Sequence, residues 1–190
     1  MEEEIKQIEF LAKREKWLKE VAEKCHKIAN KHGDFPDFYV FQLQSDIYNP
    51  DLLIIGANPG SSVSYKDILN KKGIEKRTWK DLGYDKNQYL ENENNPEWHI
   101  NRPILKIFKE VHTRKILANS VIMNVIYFNT KAVADLMKYK TEIEEIKRFC
   151  TEKTKEFINL LNPKNILFIG FDAPKWMNIK YHHKNDAVLR

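Results

Sequence analysis

Apolar side chains recur at helical spacing from the start of the chain. Over residues 3–30, Ile5, Ile8, Leu11, Leu18, Val21, Cys25 and Ile28 form a stripe, with Lys and Glu filling the other faces. This predicts one long amphipathic helix, with Gly33 as its C-terminal stop. The pattern then changes period. Residues 38–44, Phe-Tyr-Val-Phe-Gln-Leu-Gln, read as a strand or an extended arm, and Asn49-Pro50 marks a turn. Asp51 opens the aliphatic run Leu52-Leu53-Ile54-Ile55, which suits a parallel strand buried on both faces. It ends in Gly56-Ala57-Asn58-Pro59-Gly60-Ser61-Ser62.

Residues 64–99 are polar, dotted with aromatics and poorly periodic. Gly73, Gly83 and Pro96 predict short helices joined by loops there. Asn101-Arg102-Pro103 opens a helix reaching about His112, with Asn101 as its cap. Ser120 to Phe128 is the second strand. Residues 141–161 form a helix that buries Ile143, Ile146, Phe149, Phe157 and Leu160 or Leu161, and Asn162-Pro163 ends it. Asn165 to Gly170 is the third strand. Strands alternating with helices predict a three-layer α/β fold around a mainly parallel sheet. With no repeat and no linker, residues 1–190 read as a single domain, of which 1–33 are an N-terminal amphipathic helix.

Composition narrows the class. The 190 residues are 42% apolar and 12% aromatic, enough to fill a core and against wholesale disorder. No apolar run approaches the roughly 18–20 residues of a membrane-spanning helix. Met1-Glu2-Glu3-Glu4 lacks the basic and apolar regions of a signal peptide. A soluble cytoplasmic protein is the expectation. Cys25 and Cys150 are the only cysteines, which excludes a disulfide framework and a Cys-rich zinc site; both read as small core hydrophobes.

The net charge of +5 is unevenly spread. Residues 33–63 carry four Asp and no Lys or Arg, residues 64–115 carry 12 basic and 8 acidic side chains, and residues 164–190 carry 5 basic and 2 acidic. A polyanion partner and a merely lysine-rich solvated surface both fit that distribution. The Glu142-Glu144-Glu145 cluster reads as a solvated face near a helix N-terminus.

Ligands of open parallel sheets bind beyond the carboxyl ends of the strands. Gly56–Ser62, Asn124–Thr130 and the turn after Gly170 converge there. Gly56 lets the chain turn off its strand, Pro59 restrains Asn58, and Gly60 permits close approach of backbone to a ligand. The spacing is neither the dinucleotide fingerprint nor a phosphate-binding P-loop. Ser61 and Ser62 are not in a nucleophile elbow. His182 and His183 are adjacent, so on a strand they point apart and make a poor metal pair.

A strand followed by Gly56-Ala57-Asn58-Pro59-Gly60 resembles the first motif of the uracil-DNA glycosylase superfamily, most closely its mismatch-specific thymine/uracil and single-strand-selective monofunctional branches. The resemblance covers residues 51–180 in outline. It implies a three-layer α/β/α fold, no metal or organic cofactor, and DNA as partner. It further implies that Asn58 positions the water that attacks the sugar C1′. Asp stands at that place in the most active branch, so Asn58 implies a slower enzyme. The family's apolar-strand-then-Asn pattern matches Val121-Ile122-Met123-Asn124, which implies that Asn124 reads the pyrimidine edge through an amide offering both donor and acceptor. Asn129 is the alternative for that role. Tyr65, Trp79, Tyr89 and Trp98 are candidates for the ring that stacks on the base. The predicted base pocket comprises Gly56, Ala57, Pro59, Gly60, Asn124 and Trp98.

The family's late His-Pro-Ser or Asn-Pro-Ser element is missing. Either His182 or His183 takes its part in assisting the leaving anion, or the motif is lost, or the chain is truncated. Two other readings therefore stay open. One is a non-catalytic nucleic-acid or nucleotide binding module on the same fold. The other is a small-molecule enzyme on a Rossmann-like or flavodoxin-like sheet, in which Asn58-Pro59-Gly60 would grip a phosphate.

Overall fold

The structure, a computed structural model, describes residues 2–60, 63–96, 98 and 101–180. Two of the aliphatic runs pair at its centre. Strands β1 (Phe41–Leu43), β2 (Leu53–Gly56), β3 (Val121–Asn124) and β4 (Ile166–Phe168) form one sheet in the order β1-β3-β2-β4. β2 runs parallel to both β3 and β4, and β1 pairs antiparallel with β3. Leu53–Ile55 and all of β3 are buried on both faces, which is why their sequences lack alternation, whereas β4 at the edge is half-buried throughout. The chain is thus a mixed α/β protein with a mostly parallel four-stranded sheet.

Helix α1 (Glu2–Ala29) covers one face together with α6 (Ile143–Leu161). Trp17 lies at the join. Its indole N–H donates to the Lys153 carbonyl at 3.0 Å, and its ring sits 4.7 Å from Phe157 while also packing on Phe41 and Tyr127. The buried stripe of α1 begins at Phe10 and continues through Trp17, Leu18, Val21, Cys25 and Ile28. Ile5 and Ile8, expected on that stripe, are 52% and 67% exposed. At roughly 100° per residue they fall on the far side of the helix from Phe10 and Trp17.

The acidic cluster at the start of α6 is also not a solvated face. Glu142 is buried, accepts a hydrogen bond from the Thr141 hydroxyl at 2.8 Å and sits 3.2 Å from His32 Nε2. Glu145 is half-buried and holds Lys24 at 2.5 Å and Lys31 at 3.1 Å; only Glu144 faces water. The reason is tertiary: the end of α1 and its following turn pack on this end of α6 and supply the cations. Of the expected apolar residues of α6, Ile143, Ile146, Phe157 and Leu161 are enclosed, whereas Phe149 and Leu160 are only half-buried. The helix ends at Asn162, in the left-handed region at φ 51°, just before Pro163.

Helices α3 (Gln88–Glu91), α4 (Asn101–Ile107) and α5 (Val111–Ala118) cover the opposite face. There Tyr89, Ile104, Phe108 and Leu117 pack over Ile54, Ile122 and Leu43. The single helix expected from Asn101 to His112 is two, because Glu110 is extended (φ −73°, ψ 148°) and starts α5 afresh. That break lets Ile104, Phe108 and Leu117 join one buried cluster. The second strand also stops earlier than expected, at Asn124; Val125–Phe128 remain buried outside it. Helices α2 (Tyr65–Lys72), capped by Ser64 and by left-handed Gly73, and α7 (Asp172–Trp176) complete the α-helices among the described residues, beside 3-10 turns at Trp79–Asp81 and Val133–Lys138. Cys25 and Cys150 are fully buried, as expected, and burial pushes both thiols up, Cys150 to about 12. Among the described residues no helix is long and apolar enough to cross a membrane.

Candidate functional site

A pocket of about 440 Å³ opens at the carboxyl ends of the parallel strands. Every strand contributes to it: Gln42 from β1, Gly56 from β2, Asn124 from β3, and Ile169 immediately after β4. Tyr39, Tyr89 and Trp98 supply aromatic wall, and Ala57, Asn58, Gly60 and Lys131 come from the loops. Its volume falls within the range of small-molecule sites, roughly 300–1,000 Å³. Two larger grooves, one beside Glu3 and Tyr48 and one beside Arg14 and Trp79, are more open and lined mainly by charged or polar side chains.

The loop after β2 is stitched to the segment after β3. The carbonyls of Gly56, Ala57 and Pro59 accept from the N–H groups of Val125, Ile126 and Thr130 at 2.9, 2.9 and 3.1 Å. Asn58 is fixed on this frame. Its amide nitrogen donates to the Thr130 carbonyl at 2.6 Å, with Thr130 Oγ1 at 3.1 Å and the Pro59 carbonyl at 3.2 Å. An Nδ2 so committed sets the other end of the amide as the acceptor. That Oδ1 has no hydrogen-bond partner among the described residues.

Asn124 closes the end of β3 opposite Gly56, with its backbone N–H donating to the Val40 carbonyl at 3.0 Å. A Cβ built on Gly56 would lie 2.8 Å from Asn124 Oδ1, so the missing side chain at 56 is what makes room for this amide. Asn124 is 3% exposed, and its Nδ2 is buried with no hydrogen-bond partner among the described residues.

The four aromatic candidates separate. Tyr89 and Trp98 line the pocket. Tyr65 belongs to the core on the α1 side, its hydroxyl 2.8 Å from His26 Nδ1 and accepting from the Arg77 N–H at 3.2 Å. Trp79 lies in the groove beside Arg14, with Lys19 and Lys80 over its ring. Asn129 does not line the pocket: it is buried in the turn beyond β3 and donates its backbone N–H to the Asp37 carbonyl at 2.7 Å. Pro59 is buried beneath the loop and acts through its carbonyl rather than as wall. His182, His183, Ser61 and Ser62 lie outside the described residues.

Tyr39, Gln42, Lys131 and Ile169 are wall residues that sequence reasoning did not single out. Burial, with nearby Tyr84, raises the Tyr39 phenol, and burial, with Tyr39, raises that of Tyr89. Both therefore stay neutral at ordinary pH. Behind the loop, Arg77 grips Asp37 with two hydrogen bonds of 2.8 and 2.5 Å, both side chains buried. The basic excess of residues 64–115 is partly consumed in this way. Lys72, Lys76, Arg77, Lys86, Lys109 and Arg114 are ion-paired, while Arg102, Lys106 and Lys115 form no ion pair among the described residues. Among the described residues no cluster of three or more His, Cys, Asp or Glu could hold a metal ion.

No family model matches the chain, and neither a curated protein nor a solved structure shows significant similarity to it.

Proposed function

We propose that this chain is a uracil-DNA glycosylase-like repair protein that hydrolyses the N-glycosidic bond of uracil, or of a related damaged pyrimidine, in DNA. The observation that carries the reading is the meeting of Asn58 and Asn124 in one aromatic-walled pocket at the strand ends. The two amides belong to separate motifs, and a shared pocket is what their proposed roles require. A sheet covered by helices on both faces is in keeping with the three-layer fold of that superfamily.

A base in a duplex must be flipped out, at a cost of a few kcal/mol, before such a pocket can take it. Half-buried Trp98 then offers a face for stacking, whereas Tyr89, 2% exposed, backs the pocket from the core. A buried amide nitrogen without a partner is costly in a folded protein, and a pyrimidine carbonyl would satisfy the one on Asn124. Asn58, tethered through Nδ2, presents Oδ1 to accept a hydrogen bond from water and so orients the water oxygen toward C1′. The bond from C1′ to the ring nitrogen breaks and its electron pair leaves with the base. The water oxygen bonds to C1′ and loses its proton to solvent, leaving free pyrimidine and an abasic sugar. Asn58 cannot take that proton, which is in keeping with a slow enzyme. Exposed Lys131 at the pocket supplies positive charge for a polyanionic strand.

Incubation with labelled single- and double-stranded oligonucleotides containing uracil, followed by alkali, tests the reading. Strand cleavage at the uracil position is expected. No cleavage of either substrate removes the enzyme, and retention of salt-dependent binding to the same strands would then leave a binding module.

A further inference from the structure

Strand β1 breaks its own period at one residue. Phe41 pairs with Met123 and Leu43 with Ile122, so two steps along β1 answer one step along β3, and Gln42 is the extra residue. The consequence is visible in the packing. Residues two apart on a regular strand share a face, yet Phe41 joins the cluster beneath α1 and α6 whereas Leu43 joins the opposite one. Such bulges re-aim a side chain and gather beside functional sites. This one is also braced from outside. The Phe41 N–H donates to the Leu82 carbonyl at 3.0 Å, and a Cβ on Gly83 would lie 2.6 Å from that of Phe41, so only glycine permits the approach.

The residue displaced by the bulge lines the pocket that holds Asn58 and Asn124. Gln42 is half-buried, and its amide makes no hydrogen bond among the described residues. We infer that Gln42 is a specificity-determining residue, whose amide contacts a polar edge of the extruded base and helps to decide which bases are released. The inference rests on the glycosylase reading and adds a residue to it. A bulge that served only to bend the strand would leave the choice of base unaffected, and this difference is measurable.

The test compares the wild-type chain with Gln42→Leu, which keeps bulk without polarity, and Gln42→Glu, which keeps shape without the donor. Initial rates are measured on oligonucleotides carrying uracil, thymine or hypoxanthine, the last presenting a similar carbonyl and N–H edge on a larger ring. Calorimetry measures binding of the three free bases, and thermal melting checks the fold. The expected result is a change of about tenfold or more in the uracil-to-thymine or uracil-to-hypoxanthine ratio, in rate or in affinity, at an unchanged melting temperature. Equal losses for every base, or unchanged ratios, overturn the role of Gln42 while leaving the glycosylase reading intact. Base binding with altered ratios but without release overturns the enzyme and keeps Gln42 as a selector. A wild-type chain that neither releases nor binds any base overturns both.

Discussion

Gly56 and Asn124 are register partners at the ends of β2 and β3, and the room for the Asn124 amide is the side chain that Gly56 lacks. Gly56→Ala would press a methyl group to within 2.8 Å of Asn124 Oδ1, in a place where backbone pairing fixes both residues. Displacement of the amide is the expected result, with base release falling at least tenfold and stability by about 1–3 kcal/mol, as overpacking usually costs. Gly33→Ala is the control, since a Cβ there meets nothing within 4 Å and the residue does not line the pocket. If both variants melt and react alike, the close approach at 56 has no functional weight.

Asn58→Ala is expected to lower turnover on uracil-containing DNA by roughly 10²-fold while binding changes little, because in the proposed reaction the amide acts on the water rather than the strand. Equal losses in kcat and affinity would contradict that. Asn58→Asp makes a sharper comparison. Nδ2 already donates to the Thr130 carbonyl at 2.6 Å, and a carboxylate oxygen in its place would face that carbonyl without a proton. The expectation is a lower melting temperature and no gain in rate, although the resemblance associates Asp with faster enzymes.

The buried Asp37–Arg77 pair holds the frame behind the loop: the Asp37 N–H donates to Val63 and its carbonyl accepts from Asn129. Arg77→Ala leaves a buried carboxylate uncompensated and is expected to cost about 3–5 kcal/mol in urea unfolding. Asp37→Leu combined with Arg77→Met removes both charges and should cost clearly less than the single change. A double variant as unstable as the sum of its parts would show that the pair is not acting as a unit.

The carboxyl of Glu145 is held below its ordinary value of 4.5 by hydrogen bonds from Lys24 and then Lys31. A depressed folded value means that the contribution is present above the ordinary value and lost as pH falls through the folded one. Stability should therefore decline on the acid side of pH 4.5, and Glu145→Gln should flatten that decline while lowering stability at neutral pH. An unchanged acid limb in the variant would assign the decline to other carboxylates, such as Glu142, which is lowered by Thr141 and His32.

The parts of this fold legible in the sequence are those where local chemistry and tertiary context agree. Leu53–Gly56 and Val121–Asn124 are short, continuous and closed by Gly or Asn, so their place at the sheet centre and the meeting of Asn58 with Asn124 followed from pattern. Asn162-Pro163 stops its helix for a purely local reason. What stayed hidden depends on partners distant in sequence. The burial of Glu142 is set by His32, and the aim of Gln42 by pairing with β3 and Gly83. Ile8 looked apolar enough for a core, but rotation about the helix axis, fixed by Phe10 and Trp17, turned it outward.

A pocket walled by residues of three strands and by the residue just after the fourth belongs to no single segment of the chain. It is assembled only when the parallel pairing of β2 with both β3 and β4 is complete, and any opening that separates those strands dismantles it. Occupancy is then linked to the unfolding equilibrium of the sheet as well as to the loops that carry Asn58, Gly60 and Lys131. A base held at 100 times its dissociation constant would add about 2.7 kcal/mol to the stability of the entire fold. Melting temperatures measured at rising ligand concentration thus trace binding to this pocket, without chemistry and for any ligand it accepts.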